Sequence, residues 1–392
     1  MENRIRLNFT WKEAALAIMW ATFFLPPVIA RISTVLSYGV MLIGYGVFLV
    51  MYIRWEKVMP ISEDVMLFLV FVAYCVFTLL FRTPDKIPQF VRRAILPLIE
   101  GFFLIQWTFR ERDQKNGFGV LYYVTAFYIV ANFISLVLFP GGIIRSSAGS
   151  AIERAQWLFG SKNNIPLYMI VFITIAAYYH YTVRRRHLFY CLAALGAFSI
   201  MMSGEEGLEF LGGSSTGFVA YAASLALIVV CVHMEKVGKP ALGVKAAFVF
   251  TIFMNVIILG GMSLPGMNDI IVNVFHKTTT FTGRSLIWSA NLKEAFRHVI
   301  LGQGEVSVMA HVRIQKEWVT TDYTYNCLLK LLLNYGLVGI GLFIAMVLMA
   351  ARKLDLRGSI LFSGFTGLLL IGLMNEVDMN WLLLFPSLMI LA

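Results

Sequence analysis

The sequence predicts an all-α polytopic membrane protein of about twelve transmembrane helices, and three observations carry that expectation. Apolar and aromatic residues fill 59% of the 392 positions. Asp, Glu, Lys and Arg together make up 14%, against roughly 25% in a soluble domain. The mean hydropathy is +0.77. So few polar groups cannot cover a water-exposed surface, which excludes an ordinary globular enzyme, a disordered chain and a nucleic-acid binder.

The balance of 32 Lys and Arg over 22 Asp and Glu gives a net charge of +10. In a membrane bundle such an excess reflects topology and anionic lipid, so no nucleic-acid partner is expected. The four cysteines, Cys75, Cys191, Cys231 and Cys327, sit in apolar runs without metal-like spacing and read as free thiols.

A spanning helix needs about 20 mostly apolar residues. Such runs lie near 12–30, 34–53, 64–81, 94–109, 118–139, 164–183, 187–202, 214–233, 246–264, 324–350, 358–374 and 379–392. The first lacks a small-residue cleavage pattern and reads as a retained span. Pro26-Pro27 and Pro97 fall inside spans and are expected to kink them. The runs 187–202 and 379–392 are the shortest. Residues 1–392 read as one membrane-embedded domain, with 265–323 as a long outer loop within it and no soluble domain on either side.

Lys and Arg orient this bundle. With the N terminus inside, seventeen of them fall on short inner segments and fourteen outside, six of those in the long loop, where the positive-inside rule carries little weight. Both termini are then cytoplasmic. The turn with Arg82, Lys86, Arg92 and Arg93 is an exception, a basic outer segment: either that hairpin is misplaced or its residues have a role outside.

Polar residues that persist against a lipid background mark function. The loop 265–323 is too long for a connector. Within it Thr282-Gly283-Arg284 opens a helix, with Thr282 placed to cap it and Arg284 in its first turn. Trp288, Leu292, Ala295, Phe296 and Val299 recur at helical spacing, with Ser285, Ser289, Lys293 and Arg297 opposite, the pattern of an interfacial amphipathic helix. A guanidinium among the free N–H groups of a first turn suits a phosphate or pyrophosphate; a snorkelling arginine fits the same residues. Asp322, Asn326, Lys330 and Asn334 are spaced four apart and are expected to stripe one helix face toward a wet cavity, or else to cap and snorkel. Glu205, Glu206 and Glu209, and Arg145, Arg154 and Lys162, are candidate polar groups in shorter outer loops, and His311 a candidate base in the long one. No metal-ligand spacing, Walker loop or nucleophile elbow is present.

Gly283-Arg284 followed by Trp288, then Leu301-Gly302-Gln303-Gly304, then Tyr325-Asn326 with Leu328-Leu329 and Gly336-Leu337-Val338-Gly339, in this order and topology, resemble the O-antigen ligase / polysaccharide polymerase family. Ser214-Ser215-Thr216-Gly217 and Lys162-Asn163-Asn164 resemble weaker family positions. The resemblance implies a membrane-embedded fold of the C-type glycosyltransferases and an inverting, metal-independent transferase without cofactor. Its donor would be an oligosaccharide on undecaprenyl pyrophosphate, at the outer face of a bacterial plasma (inner) membrane. Ligases of the family carry His where this chain has Tyr325, and an Arg in the segment matching Ser214–Thr216, which this chain lacks. Both departures favour a polymerase of O-antigen or capsular repeat units. A ligase acting on lipid A core, or a flippase or other transporter, are the alternatives.

On this reading Arg284, helped by Arg145, Arg154 or Arg92, holds the pyrophosphate. Asp322, then Glu205 and His311, are candidates for the base that takes the acceptor proton. Asn326 is expected to orient sugar hydroxyls, and Lys330, Tyr325 and Trp288 to bind substrate with it. Expected partners are the lipid-linked oligosaccharide and membrane lipid, with a chain-length regulator and a flippase as candidates.

Overall fold

The computed structural model describes residues 10–54, 63–110, 114–146, 154–183, 186–238, 242–260, 284–305, 308, 310–314, 317–321 and 324–374. Helices dominate it. Four of them, Thr34–Arg54, Gly117–Leu138, Ser215–Lys236 and Cys327–Ala350, are long and apolar enough to cross a bilayer, and five shorter apolar helices accompany them. The chain is a multi-pass membrane protein.

The first expected span, 12–30, is two helices. α1 (Trp11–Phe23) opens with a capping box in which Thr10 and Glu13 satisfy each other's backbone N–H. It ends before Pro26-Pro27, which supply no N–H donors, and α2 (Pro27–Ile32) restarts with Pro27 at its first position. α3 (Thr34–Arg54) and α4 (Glu63–Arg82) follow. The chain then turns through a 3-10 turn (Pro84–Lys86), α5 (Ile87–Phe90) and a π turn (Val91–Ile95) into α6 (Leu96–Arg110). The distortion expected at Pro97 takes the form of that π turn, since a proline nitrogen cannot donate to the preceding turn.

α7 (Gln114–Leu138), α8 (Ile165–Val183), α9 (Arg186–Met202), α10 (Ser215–Lys236) and α11 (Leu242–Gly260) match the expected spans within a few residues. α12 (Arg284–Ala295) lies in the long loop, and α13 (Cys327–Ala350) and α14 (Leu356–Gly372) close the described bundle. The expected span 379–392 lies outside the described residues. The core is where α7, α9, α10 and α14 surround α8. Gly364 and Gly367 of α14 leave room for Thr174 of α8 and Ser224 of α10, the small-residue approach that membrane helices favour. α3 is buried over little of its length and faces outward.

Two antiparallel hairpins add to the all-helical expectation. β1 (Ile144–Ser146) pairs with β2 (Arg154–Gln156), and β3 (Ala310–Ile314) with β4 (Glu317–Thr321). The second is rich in Val, Ile and Thr, which fit a pleated surface.

α13 departs most from its expectation. Its helix begins at Cys327, one residue past Asn326, whose Oδ1 accepts the Leu329 N–H at 2.8 Å. Asn326 therefore caps the helix instead of standing in a four-residue stripe, and only Lys330 and Asn334 lie within it; Asp322 is outside the described residues. The helix then breaks at Gly336, at φ 62° and ψ −166°, about 13 Å along its axis at 1.5 Å per residue. The segment 299–304 fills the break. Leu337 and Val338 donate to the carbonyls of Val299 and Ile300, and Gln303 and Gly304 donate to those of Leu333 and Asn334. The Tyr74 hydroxyl of α4 bridges the Leu301 and Tyr335 carbonyls at 2.9 and 3.1 Å. Irregular backbone within a bundle persists only where its polar groups are paired like this.

Candidate functional site

The loop-rich end of the bundle, where α13 begins, gathers the candidates. α12 buries Ile287, Trp288, Asn291 and Ala295, with Trp288 packed in a cluster with Leu329 of α13, Ile258 of α11 and Leu373. This corrects the expected face. Leu292 is only partly buried, and Phe296 is 65% exposed because the chain tightens into a 3-10 turn at Phe296–His298. Thr282, the expected cap, lies outside the described residues.

Arg284 is the first residue of α12, and its guanidinium lies 5.2 Å from the centroid of the Tyr325 ring, within the range of a cation–π contact. Tyr325 holds a φ of +51°, uncommon for a bulky side chain, between buried Thr324 and buried Asn326. Burial lowers the Arg284 pKa below its ordinary value; Tyr325 raises it and Arg154 lowers it again. Arg154 thus stands close enough for two like charges to act on each other. The Arg154 Nε is buried with no hydrogen-bond partner. Among the described residues, neither guanidinium has an ion pair with a carboxylate.

Arg154 opens β2, and its hairpin is fastened to the loop between α9 and α10. The Ala155 N–H donates to the Glu205 carbonyl at 2.9 Å, and Arg145 donates to the Glu206 carbonyl at 2.8 Å. The Glu205 carboxylate meets Lys162 Nζ at 3.1 Å. A cavity of ≈ 610 Å³ opens there, lined by Lys162, Glu205, Glu206 and Glu209 with Pro140, Gly141 and Gly212 among its walls. It presents three carboxylates, one ammonium and loop backbone, a polar lining suited to hydroxyl groups. Arg284, Arg154, Arg145 and Glu205, far apart in sequence, therefore belong to one connected end of the protein.

Other candidates fall elsewhere. Asn326 is fully buried; its amide donates to Asn255 Oδ1 and the Leu373 carbonyl at 2.8 and 3.2 Å. With its oxygen on Leu329, it ties α13 to α11 and α14, and Trp288 likewise belongs to packing. Lys330 is half-buried one turn into α13. Arg92 does not join Arg284: it is exposed and donates to the Tyr38 hydroxyl at 3.1 Å. His311 pairs through its backbone with Thr320 in the second hairpin; its side chain and Asp322 lie outside the described residues. No group of three His, Cys, Asp or Glu is placed to hold a metal among the described residues. Sequence reasoning missed Glu305, which accepts a hydrogen bond from buried Tyr335 at 3.1 Å beside the filled break. Its only signal was the flanking pair Gly302 and Gly304.

Residues 206–344 match the family model described as O-Antigen ligase. No curated protein and no solved structure matches the chain.

Proposed function

We propose, with residues 206–344 as a domain of the O-antigen ligase family, a class of membrane enzymes that assemble polysaccharide, that this protein is a polymerase. It joins undecaprenyl-pyrophosphate-linked oligosaccharide units at the outer face of a bacterial plasma membrane. The observation that carries this is the Arg284–Arg154 pair. Two cations in partly buried positions, coupled to each other and without a carboxylate partner among the described residues, are costly unless an anion joins them. A diphosphate, with several acceptor oxygens and planar matches to guanidinium forks, suits them.

The transfer inverts the anomeric carbon. The acceptor hydroxyl forms the new C–O bond from the face opposite the leaving group. The old bond to the diphosphate breaks, and its electron pair leaves on the diphosphate oxygen. Arg284 and Arg154 stabilise that growing charge, and the Tyr325 ring holds the Arg284 guanidinium in place. The acceptor proton passes to a carboxylate or imidazole drawn from Asp322, Glu205 and His311. Glu205 has the geometric support: it lines the cavity while its backbone holds the strand that bears Arg154.

Arg284→Ala is expected to abolish polymer while membrane protein level stays normal; polymer of unchanged length would remove Arg284 from the mechanism. The ligase reading is separated by deletion. Loss of a polymerase leaves single repeat units, whereas loss of a ligase strands full-length polymer on the carrier.

A further inference from the structure

We propose that the basic turn between α4 and α6 is a second diphosphate site, which seats the lipid-linked acceptor while Arg284 and Arg154 hold the donor; this rests on the polymerase reading above. Arg82, Lys86, Arg92 and Arg93 fall within twelve residues and are all exposed. Asp85 is the single acid among them, and its pair with Lys86 is long, at 3.8 Å, and exposed, so it neutralises little. Arg92 spends one guanidinium N–H on Tyr38. That bond fixes the side chain and leaves donors for another group.

Position makes this cluster more than a solvated face. The Thr83 Oγ1 accepts the Glu305 N–H at 3.1 Å, and the Arg82 and Thr83 side chains close around Gly304. The turn is thereby bolted to the segment that fills the α13 break. That segment follows directly from α12, whose first residue is Arg284. One backbone frame carries both groups of cations at the same end of the bundle. The adjoining surface is apolar: Phe77, Leu80 and Phe81 of α4 and Ile300 and Leu301 of the segment are exposed. A phosphate on this turn would thus have an apolar path beside it for its prenyl chain.

The chemistry requires such a site. A polymerase holds two lipid-linked diphosphates at once, and two cations that grip the leaving diphosphate cannot also position the acceptor's. Phosphate at the level of the headgroups is the recognised group, and phospholipid is the competing source of it.

The test counts binding of undecaprenyl diphosphate to the full-length protein in phosphatidylcholine nanodiscs. Wild type is expected to bind two equivalents, the Arg82→Gln/Lys86→Gln/Arg92→Gln variant one, and Arg284→Ala one. With lipid-linked repeat unit as acceptor, the triple variant should raise the acceptor KM on the order of tenfold, the loss of one charge-assisted contact or more, and leave kcat at saturating acceptor and the donor KM within about twofold. Undiminished binding by the triple variant, an unchanged acceptor KM, or loss of the second equivalent when phosphatidylglycerol replaces half the lipid would overturn the proposal; the last would mark a phospholipid site. Two equivalents bound by a wild type that makes no polymer would sink the polymerase reading and leave both sites standing.

Discussion

Replacing Gly336 by alanine tests whether the filled break in α13 holds this end of the protein together. At φ 62° and ψ −166° an L side chain is strained by about 1–3 kcal/mol. The added Cβ would also meet the Ile300 carbonyl oxygen and the Gly302 nitrogen, both backbone atoms that cannot rotate aside. Relief requires the segment 299–304 to withdraw. It would sever the four backbone hydrogen bonds from Leu337, Val338, Gln303 and Gly304 and strand the carbonyls that Tyr74 bridges. At about 1 kcal/mol net for each bond, the sum with the strain is about 5–7 kcal/mol, comparable to the whole stability of many domains. Gly341, five residues on in the same helix, is the control, because a Cβ there meets nothing within 4 Å. Gly341→Ala should be neutral or gain up to about 1 kcal/mol from helix propensity. Thermal melts of both variants purified in the same detergent read the difference directly. If Gly336→Ala melts with wild type, or Gly341→Ala falls as far as Gly336→Ala, the segment is not the brace described here.

Two further outcomes follow from the same end of the bundle. Asn326→Ala removes the α13 cap and leaves the Asn255 Oδ1 and the Leu373 carbonyl without their donor; a loss of about 2–4 kcal/mol should appear as a lower melting temperature and reduced folded yield, and an unchanged melt would show that the three bonds are dispensable. Glu205→Gln keeps the shape of the cavity wall but removes the charge, so turnover should drop by roughly 10²–10⁴-fold with donor binding unchanged; full turnover would pass the base role to Asp322 or His311.

The bundle was legible because lipid imposes a coarse signal: long apolar runs with basic ends, which place α3, α4 and α6 to α11 within a few residues. What escaped was local backbone chemistry. At Pro26-Pro27 the expected kink is a full break, with α1 ending before it and α2 restarting at Pro27. Gly336 breaks its helix without any drop in apolarity, because the missing helical bonds are supplied by a segment more than thirty residues earlier. The four-apart spacing from Asp322 to Asn334 implied a stripe, yet Asn at a helix start competes to cap it, and that preference governs Asn326. At the site, Arg284 could be singled out from its place before an amphipathic run. Its partner could not be chosen among Arg145, Arg154 and Arg92, because that choice depends on how β1 and β2 fold back onto the loop at Glu205.

That fold-back also explains why the arginines sit where they do. Tyr325 occupies a left-handed conformation that costs energy, and it is held there by Thr324 and Asn326, both buried on either side of it. The cap on α13, the knot to Asn255 and the Leu373 carbonyl, and the packing of Trp288 on Leu329 hold the backbone next to which the Tyr325 ring meets Arg284. Arg154 is fixed from the other direction, through Ala155 on Glu205. Two separate frameworks thus bring the two positive charges within electrostatic reach of each other. On the proposed reading, a ligand with two adjacent anionic groups would offset the effect of each charge on the other when it binds. In the proposed transfer the departing diphosphate carries an extra negative charge, so the same two cations would favour the broken bond over the intact one.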